Sequence, residues 1–382
     1  MGKIPDLKIS SGYTYVDSEQ ALARLTKKLA GVARVGLDTE ADSLHHYYEK
    51  VCLIQLSFLG ENYIVDPLVE FSLSEFLEAL SQKELIFQGA DYDLRVLKKS
   101  FGFQSKAPLF DTMLAAQVLG FEKIGLAALV ERFFGVVISK AGQKADWSKR
   151  PLSDRFLAYA SGDTQYLAGI ADAQMESLKE LNRVAWHQEC CERMVKNLEV
   201  VQQKDEREKW RVKGSSKLPS NELVFVRALW AWRDEAARER DRPPFHILMN
   251  EDLIKLAGWL SKNPGRLLAQ GPSFIKRFSG KTLVRLEKGI QAAEKLPPAE
   301  WPLPRERRPR GTEGIDQRKL EALMSACKQA AEKHQIESSF LASRAALTAV
   351  IEHHPESIEK VMEVSGLMHW QAELLMPVID TS

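Results

Sequence analysis

Residues 34–40 read Arg-Val-Gly-Leu-Asp-Thr-Glu, an apolar run that ends in two carboxylates, Asp38 and Glu40. Arg34–Asp38 reads as a buried β-strand running into an acidic end. Side chains two apart on a strand leave the same face. Two carboxylates held side by side on a buried strand repel each other unless a cation lies between them. The other reading of the pair is a solvated strand-to-loop edge.

Outward from this strand the chain alternates. Val51–Phe58 (VCLIQLSF) reads as a second strand and Asn62–Val65 as a third, joined by a tight turn at Leu59, Gly60 and Glu61. Phe71–Ala79 has helical apolar spacing, Glu84–Phe87 is a short strand, and Asp91–Lys99 a helix. Adjacent short strands followed by βαβ-like alternation predict an α/β domain with a mixed sheet. From Leu109 onward only helix patterns occur, and they end in one long segment, Ser153–Leu181.

Further acids fall on these elements. Tyr159 and Asp163 lie four apart in the last helix, so they share a face. Asp93 sits near the start of the Asp91–Lys99 helix, where acidic residues are favoured by the helix dipole alone. Asp42 reads as solvated. The order LDTE (37–40), GADYDLRVL (89–97) and YASGD (159–163) resembles the three exonuclease motifs of the DEDD superfamily. The Tyr159-to-Asp163 spacing resembles the subgroup with tyrosine in the third motif. VCLIQLS (51–57), FDTMLAAQVLG (110–120) and KADWSKRPLS (144–153) extend the resemblance to ribonuclease D over nearly all of residues 15–200.

That resemblance implies a ribonuclease H-like mixed sheet with helices. It implies that Asp38, Glu40, Asp93 and Asp163 bind two divalent ions; oxygen donors suit Mg²⁺ or Mn²⁺ rather than zinc. Tyr159 is too weak an acid to take a proton outright at neutral pH, so orienting the attacking water is its expected role. The implied activity is metal-dependent hydrolysis of RNA from its 3′ end to nucleoside 5′-monophosphates. tRNA precursors or other 3′-extended structured RNA are the expected substrates. Where the family often has His, this chain has Gln88.

Lys144, Trp147, Lys149 and Arg150 cluster just before the catalytic helix. Cations there could meet phosphates and the indole could stack on a base, or Trp147 could pack into the core. His45 and His46 follow the first motif and could line a 3′-end pocket or belong to a plain loop. With Gln88, these complete the candidate substrate contacts.

Leu223–Arg242 (LVFVRALWAWRDEAARERDR) followed by Pro243 and Pro244 resembles the HRDC domain, a small helical bundle. Residues 312–382 resemble a second, degenerate unit of that kind. The expected organisation is an exonuclease domain over 1–202, a linker over 203–218 and an HRDC domain over 219–295. A Pro-rich basic linker over 296–311 and the second all-α unit over 312–382 follow. Residues 219–293 hold 13 Lys and Arg against 8 Asp and Glu, whereas 312–382 hold 6 against 11. The excess favours phosphate contact by the first bundle and disfavours it for the second, which is expected to cap the exonuclease domain or close a ring around substrate.

The 382 residues carry a formal charge of +1 and no apolar run long enough to span a membrane. The N-terminal stretch has no apolar core of a secretory leader. Cys52, Cys190, Cys191 and Cys327 fit neither a zinc site nor a disulfide framework and read as reduced thiols of a cytoplasmic protein. No obligate protein partner is expected. The same carboxylate chemistry serves exonucleases that act on DNA, and a non-catalytic nucleic-acid adaptor is the remaining alternative. An adaptor would tolerate loss of an acid, and all four are present.

Overall fold

The computed structural model describes residues 12–138, 142, 144–199, 208–305 and 317–379. It divides into two compact units, one formed by 1–42, 50–201 and 311–382, the other by 43–49 and 202–310.

The first unit is built on a six-stranded mixed sheet. Its strands are β1 (Thr14–Val16), β2 (Arg34–Ala41), β3 (Val51–Phe58), β4 (Glu61–Val65), β5 (Glu84–Phe87) and β6 (Leu109–Asp111), in the order β1-β4-β3-β2-β5-β6. β2–β3 and β3–β4 pair antiparallel, and the other three pairs are parallel. β3 is buried along its whole length, which is why apolar residues fill both of its faces and only Gln55 and Ser57 interrupt them. β1 and β6 escape the periodicity because three residues are too few to show it.

Among the described residues up to 199, eight helices flank the sheet: α1 (Glu19–Leu29), α2 (Ser74–Ser81), α3 (Asp91–Phe101), α4 (Thr112–Val118), α5 (Leu126–Phe134), α6 (Asp154–Gly162), α7 (Leu167–Glu180) and α8 (Val184–Glu199). α2 begins three residues after the expected Phe71. The Ser18 hydroxyl caps α1 by accepting from the Ala21 N–H, and α3 stops at Gly102, whose left-handed backbone only glycine adopts without strain.

The expected single helix over Ser153–Leu181 is two helices, with a turn at 163–166 between α6 and α7. Tertiary contact makes the break. Thr164 Oγ1 lies 2.5 Å from Ser57 Oγ on β3. A Cβ on Gly36 of β2 would meet Thr164 O at 3.1 Å and Leu167 Cβ at 3.3 Å. Glycine there lets the turn settle on the strand just below Asp38.

The second unit is helical: α9 (Ser220–Glu239), α10 (Pro244–Ile247), α11 (Asn250–Lys262) and α12 (Gly280–Glu294). Leu223, Leu229, Trp232, Leu253, Leu256 and Leu286 share its core. Trp232 Nε1–H donates to Thr282 O at 3.0 Å. The expected linkers differ from the structure where it describes them. Trp210 is buried in this core, and Leu296 and Trp301 pack against it. A large indole gives even a charged or Pro-rich stretch enough apolar area to dock. Residues 203–207 and 306–311 lie outside the described residues.

The C-terminal helices α13 (Gln317–Lys333), α14 (Ser338–Leu341), α15 (Arg344–His353), α16 (Ile358–Ser365) and α17 (His369–Ile379) are not a separate body. Leu320, Leu323, Leu347 and Trp370 share one core with Phe110, Leu119, Leu167 and Leu178 of the sheet unit. The Trp186 and Trp370 rings stack at 4.7 Å and 14°. Glu189 on α8 accepts from the first two N–H groups of α17, at His369 and Trp370, and so caps it. The segment thus shares its core with the sheet unit instead of forming a bundle of its own. No helix among the described residues is long and apolar enough to cross a membrane. All four cysteines are free and buried.

Gly120 joins the C-terminal helices to the sheet unit most tightly. Its φ is +75°, and a Cβ there would lie 1.6 Å from Gln335 O. Gly120→Ala is expected to cost about 2 kcal/mol or more in a denaturant titration, and to make the C-terminal helices the first target of limited proteolysis. Unchanged stability would contradict this packing.

Candidate active site

β2 delivers Asp38 and Glu40 to one face of the sheet at its carboxyl end, where a register shift at Glu40/Ala41 ends the regular pairing with β3. Asp163 comes from the turn that closes α6. One carboxylate oxygen from each of Asp38, Glu40 and Asp163 lies within 4.8 Å of the others. Asp93 enters from the first turn of α3 and is buried. Its Oδ1 accepts from the Thr39 N–H at 3.0 Å and from the Thr39 hydroxyl at 2.5 Å. Thr39, between the two first-motif acids, therefore ties the second motif to the first.

Tyr159 sits one turn before Asp163 and hydrogen-bonds to its carboxylate. Its ring is held from behind. Trp147 packs 6.1 Å from it, and a Cβ on Gly142 would come within 2.3 Å of the Tyr159 ring.

The charges are costly where they stand. Burial, then Asp93, Asp163 and Glu40, push Asp38 well above the ordinary carboxylate range. Burial, then Asp163 and Asp93, push Glu40 up to about 9. Burial pushes Asp163 up to about 7 against the Tyr159 hydrogen bond, and Asp93 up to about 7 against the Thr39 bonds. Burial and the neighbouring acids also raise Tyr159, so its phenol keeps its proton. A cluster of mutually repelling, half-buried carboxylates with only oxygen donors fits a hard divalent cation.

Several expected substrate contacts are used elsewhere. Trp147 is 1 % exposed and packs on Phe156 as well as Tyr159, so it cannot stack on a base; it supports the tyrosine. Arg150 grips buried Asp66 through Nε at 2.5 Å and Nη2 at 2.6 Å, and Nη2 also donates to Cys52 O. Its fork is spent on the scaffold. Gln88 Nε2 donates to Ile124 O at 2.9 Å, and its Oε1 accepts from Thr112 at 2.6 Å; both ends fasten the turn before α3. His46 Nδ1 lies 2.7 Å from Asp241 Oδ2, and it and half-buried His45 belong to the 43–49 segment of the second unit. Lys144 and Lys149 are exposed, Lys149 with a 3.6 Å pair to Asp146.

Sequence reading missed two supports. Buried Asp111 accepts from the N–H groups of Gly89 and Ala90 and, at the start of α4, from Met113 and Leu114. An Asp-Thr pair opening a helix was the available signal. Asp42 is fully buried rather than solvated; it accepts from the Lys50 N–H at 2.9 Å and pairs with Lys50 Nζ at 3.0 Å.

Comparison with known proteins gives a consistent picture. A model of the 3′-5′ exonuclease family matches residues 13–191, and a model of the HRDC domain matches 222–279. Ribonuclease D of Xanthomonas oryzae is 31% identical over 94% of this chain and 97% of its own length. Ribonuclease D of Pseudomonas paraeruginosa is 32% identical over 75% of this chain and 76% of its own. The crystal structure of Escherichia coli RNase D, described as an exoribonuclease involved in structured RNA processing, superposes with a TM-score of 0.72. It is 26% identical and covers 97% of this chain and 98% of its own.

The raised carboxylates fix how stability changes with pH. An acid whose folded value exceeds its unfolded value of about 4 holds more protons when folded, so stability falls as pH rises between the two. With chelator present, the contribution of these acids to stability is expected to fall as pH rises above about 4, Glu40's share of that fall continuing to about pH 9. Glu40→Gln should flatten the upper part of that drop; melting curves with the same slope in both proteins would contradict the electrostatics.

Proposed function

The chain belongs to the ribonuclease D family and is a 3′-5′ exoribonuclease, and from that footing we propose how its residues perform the reaction and on what. The observation that carries the proposal is the convergence of Asp38, Glu40 and Asp163 from distant segments onto a common point. Asp38, Glu40, Asp93 and Asp163 hold two Mg²⁺ or Mn²⁺ ions; Asp93, with Oδ1 committed to Thr39, offers Oδ2. Such a pair of ions supplies an activated water and neutralises charge on the attacking and leaving oxygens of an in-line displacement.

The protein's own groups supply position. The Tyr159 phenol, kept protonated and fixed against Trp147, orients the attacking water by a hydrogen bond. The water oxygen attacks the phosphorus of the last phosphodiester and the bond to the preceding 3′-oxygen breaks. That oxygen takes a proton, one nucleoside 5′-monophosphate leaves, and the RNA ends in a new 3′-hydroxyl. Lys144 and Lys149 face solvent and can meet backbone phosphates.

The substrates we assign are 3′-extended structured RNAs, tRNA precursors foremost. Support comes from the E. coli relative's described role in structured RNA processing and from the basic excess of residues 219–293.

On a 5′-labelled hairpin RNA with a 3′ extension, wild-type protein with Mg²⁺ should shorten the extension one nucleotide at a time. Asp38→Ala and Asp163→Ala should slow this at least ~10³-fold, with circular dichroism unchanged. Tyr159→Phe should slow it about 10²-fold. Rapid trimming by folded Asp38→Ala protein would remove the assignment.

A further inference from the structure

Gln55 on β3 stands directly opposite Asp38 in the antiparallel β2–β3 pairing. Directly opposed residues project from the same face, with Cβ atoms about 4.5–5.5 Å apart. The Gln55 side chain is 0% exposed, and neither Oε1 nor Nε2 has a hydrogen-bond partner among the described residues.

Its neighbours on that face locate it further. Two residues before it, Leu53 shares a core cluster with Trp147 and with Leu157 and Ala160 of α6. Two residues after it, Ser57 hydroxyl meets Thr164 in the turn after α6. Gln55 therefore lies beneath the Ala160–Thr164 segment, which carries Asp163, and beside Asp38. A buried amide without partners is unfavourable where Leu or Met would pack freely, so its presence asks for a partner within the site.

We propose that Gln55 is a positioning residue for the cation-binding acids: its amide is unpartnered without metal, and in the cation-loaded site its Nε2–H donates to the Asp38 carboxylate and fixes that group for coordination. The inference rests on the two-cation reading of the site. An amide suits the task because it donates without bringing charge. Lys or Arg at this place would neutralise the carboxylates and repel the cation, whereas an apolar residue would leave Asp38 unrestrained. Groups that orient a metal-binding side chain commonly govern metal affinity about 10–100-fold.

The test is Mn²⁺ titration by calorimetry without RNA, alongside chelator-treated melting curves, for wild type, Gln55→Met and Asp38→Ala. Gln55→Met is expected to bind Mn²⁺ about tenfold or more weakly. Its metal-free melting temperature should equal or exceed that of wild type, because two unpartnered polar groups are gone. Nucleotide release by Gln55→Met should recover as Mn²⁺ is raised. Wild-type Mn²⁺ affinity in Gln55→Met overturns the inference while leaving the cation reading intact. A clear loss of metal-free stability overturns it too, assigning the amide to the scaffold. Wild-type Mn²⁺ binding by Asp38→Ala would instead overturn the cation reading itself.

Discussion

Mutual repulsion among four carboxylates, one buried and three half-buried, is the constraint around which the sheet unit is arranged. Asp38, Glu40, Asp93 and Asp163 all stand in the folded chain at a cost to their charged forms, and each raises or is raised by its neighbours. A fold spends stability this way only where something compensates, and a divalent cation is the compensation that oxygen donors select.

Holding the acids against that repulsion takes a scaffold rigid on several sides. Thr39 anchors Asp93, Asp111 fastens the turn before α3 through two N–H groups, and Gly36 admits the turn that presents Asp163. Trp147 and Gly142 brace Tyr159. Behind α8 the C-terminal helices add a shared core and the Trp186–Trp370 stack. Of these supports, Trp147 is the one whose chemistry the sequence alone would assign to substrate.

Much of this was legible in the sequence. β3 read correctly because a strand buried on both faces is mostly apolar, and the start of β2 because of its apolar Val35–Leu37 run, although β2 continues to Ala41, three residues beyond the expected Asp38. The acids were legible as a set through their order and spacing. What stayed hidden depends on partners far away in the chain. Arg150 looks like a phosphate ligand until Asp66, 84 residues earlier, claims its fork. Trp147 has the right chemistry for stacking but no exposed face. The break after α6 has no proline to announce it; it follows from the Thr164–Ser57 contact. The stretches around Trp210 and Trp301 have linker composition, yet one indole in each carries them into a core. Local composition cannot report such long-range capture.

The central claim is that the four acids share divalent cations. The most direct measurement is anomalous scattering from crystals of the protein soaked in Mn²⁺. The account predicts two strong peaks, bounded by the carboxylate oxygens of Asp38, Glu40, Asp93 and Asp163. Saturated crystals with no peak among those oxygens, in a protein that still trims RNA, would contradict it.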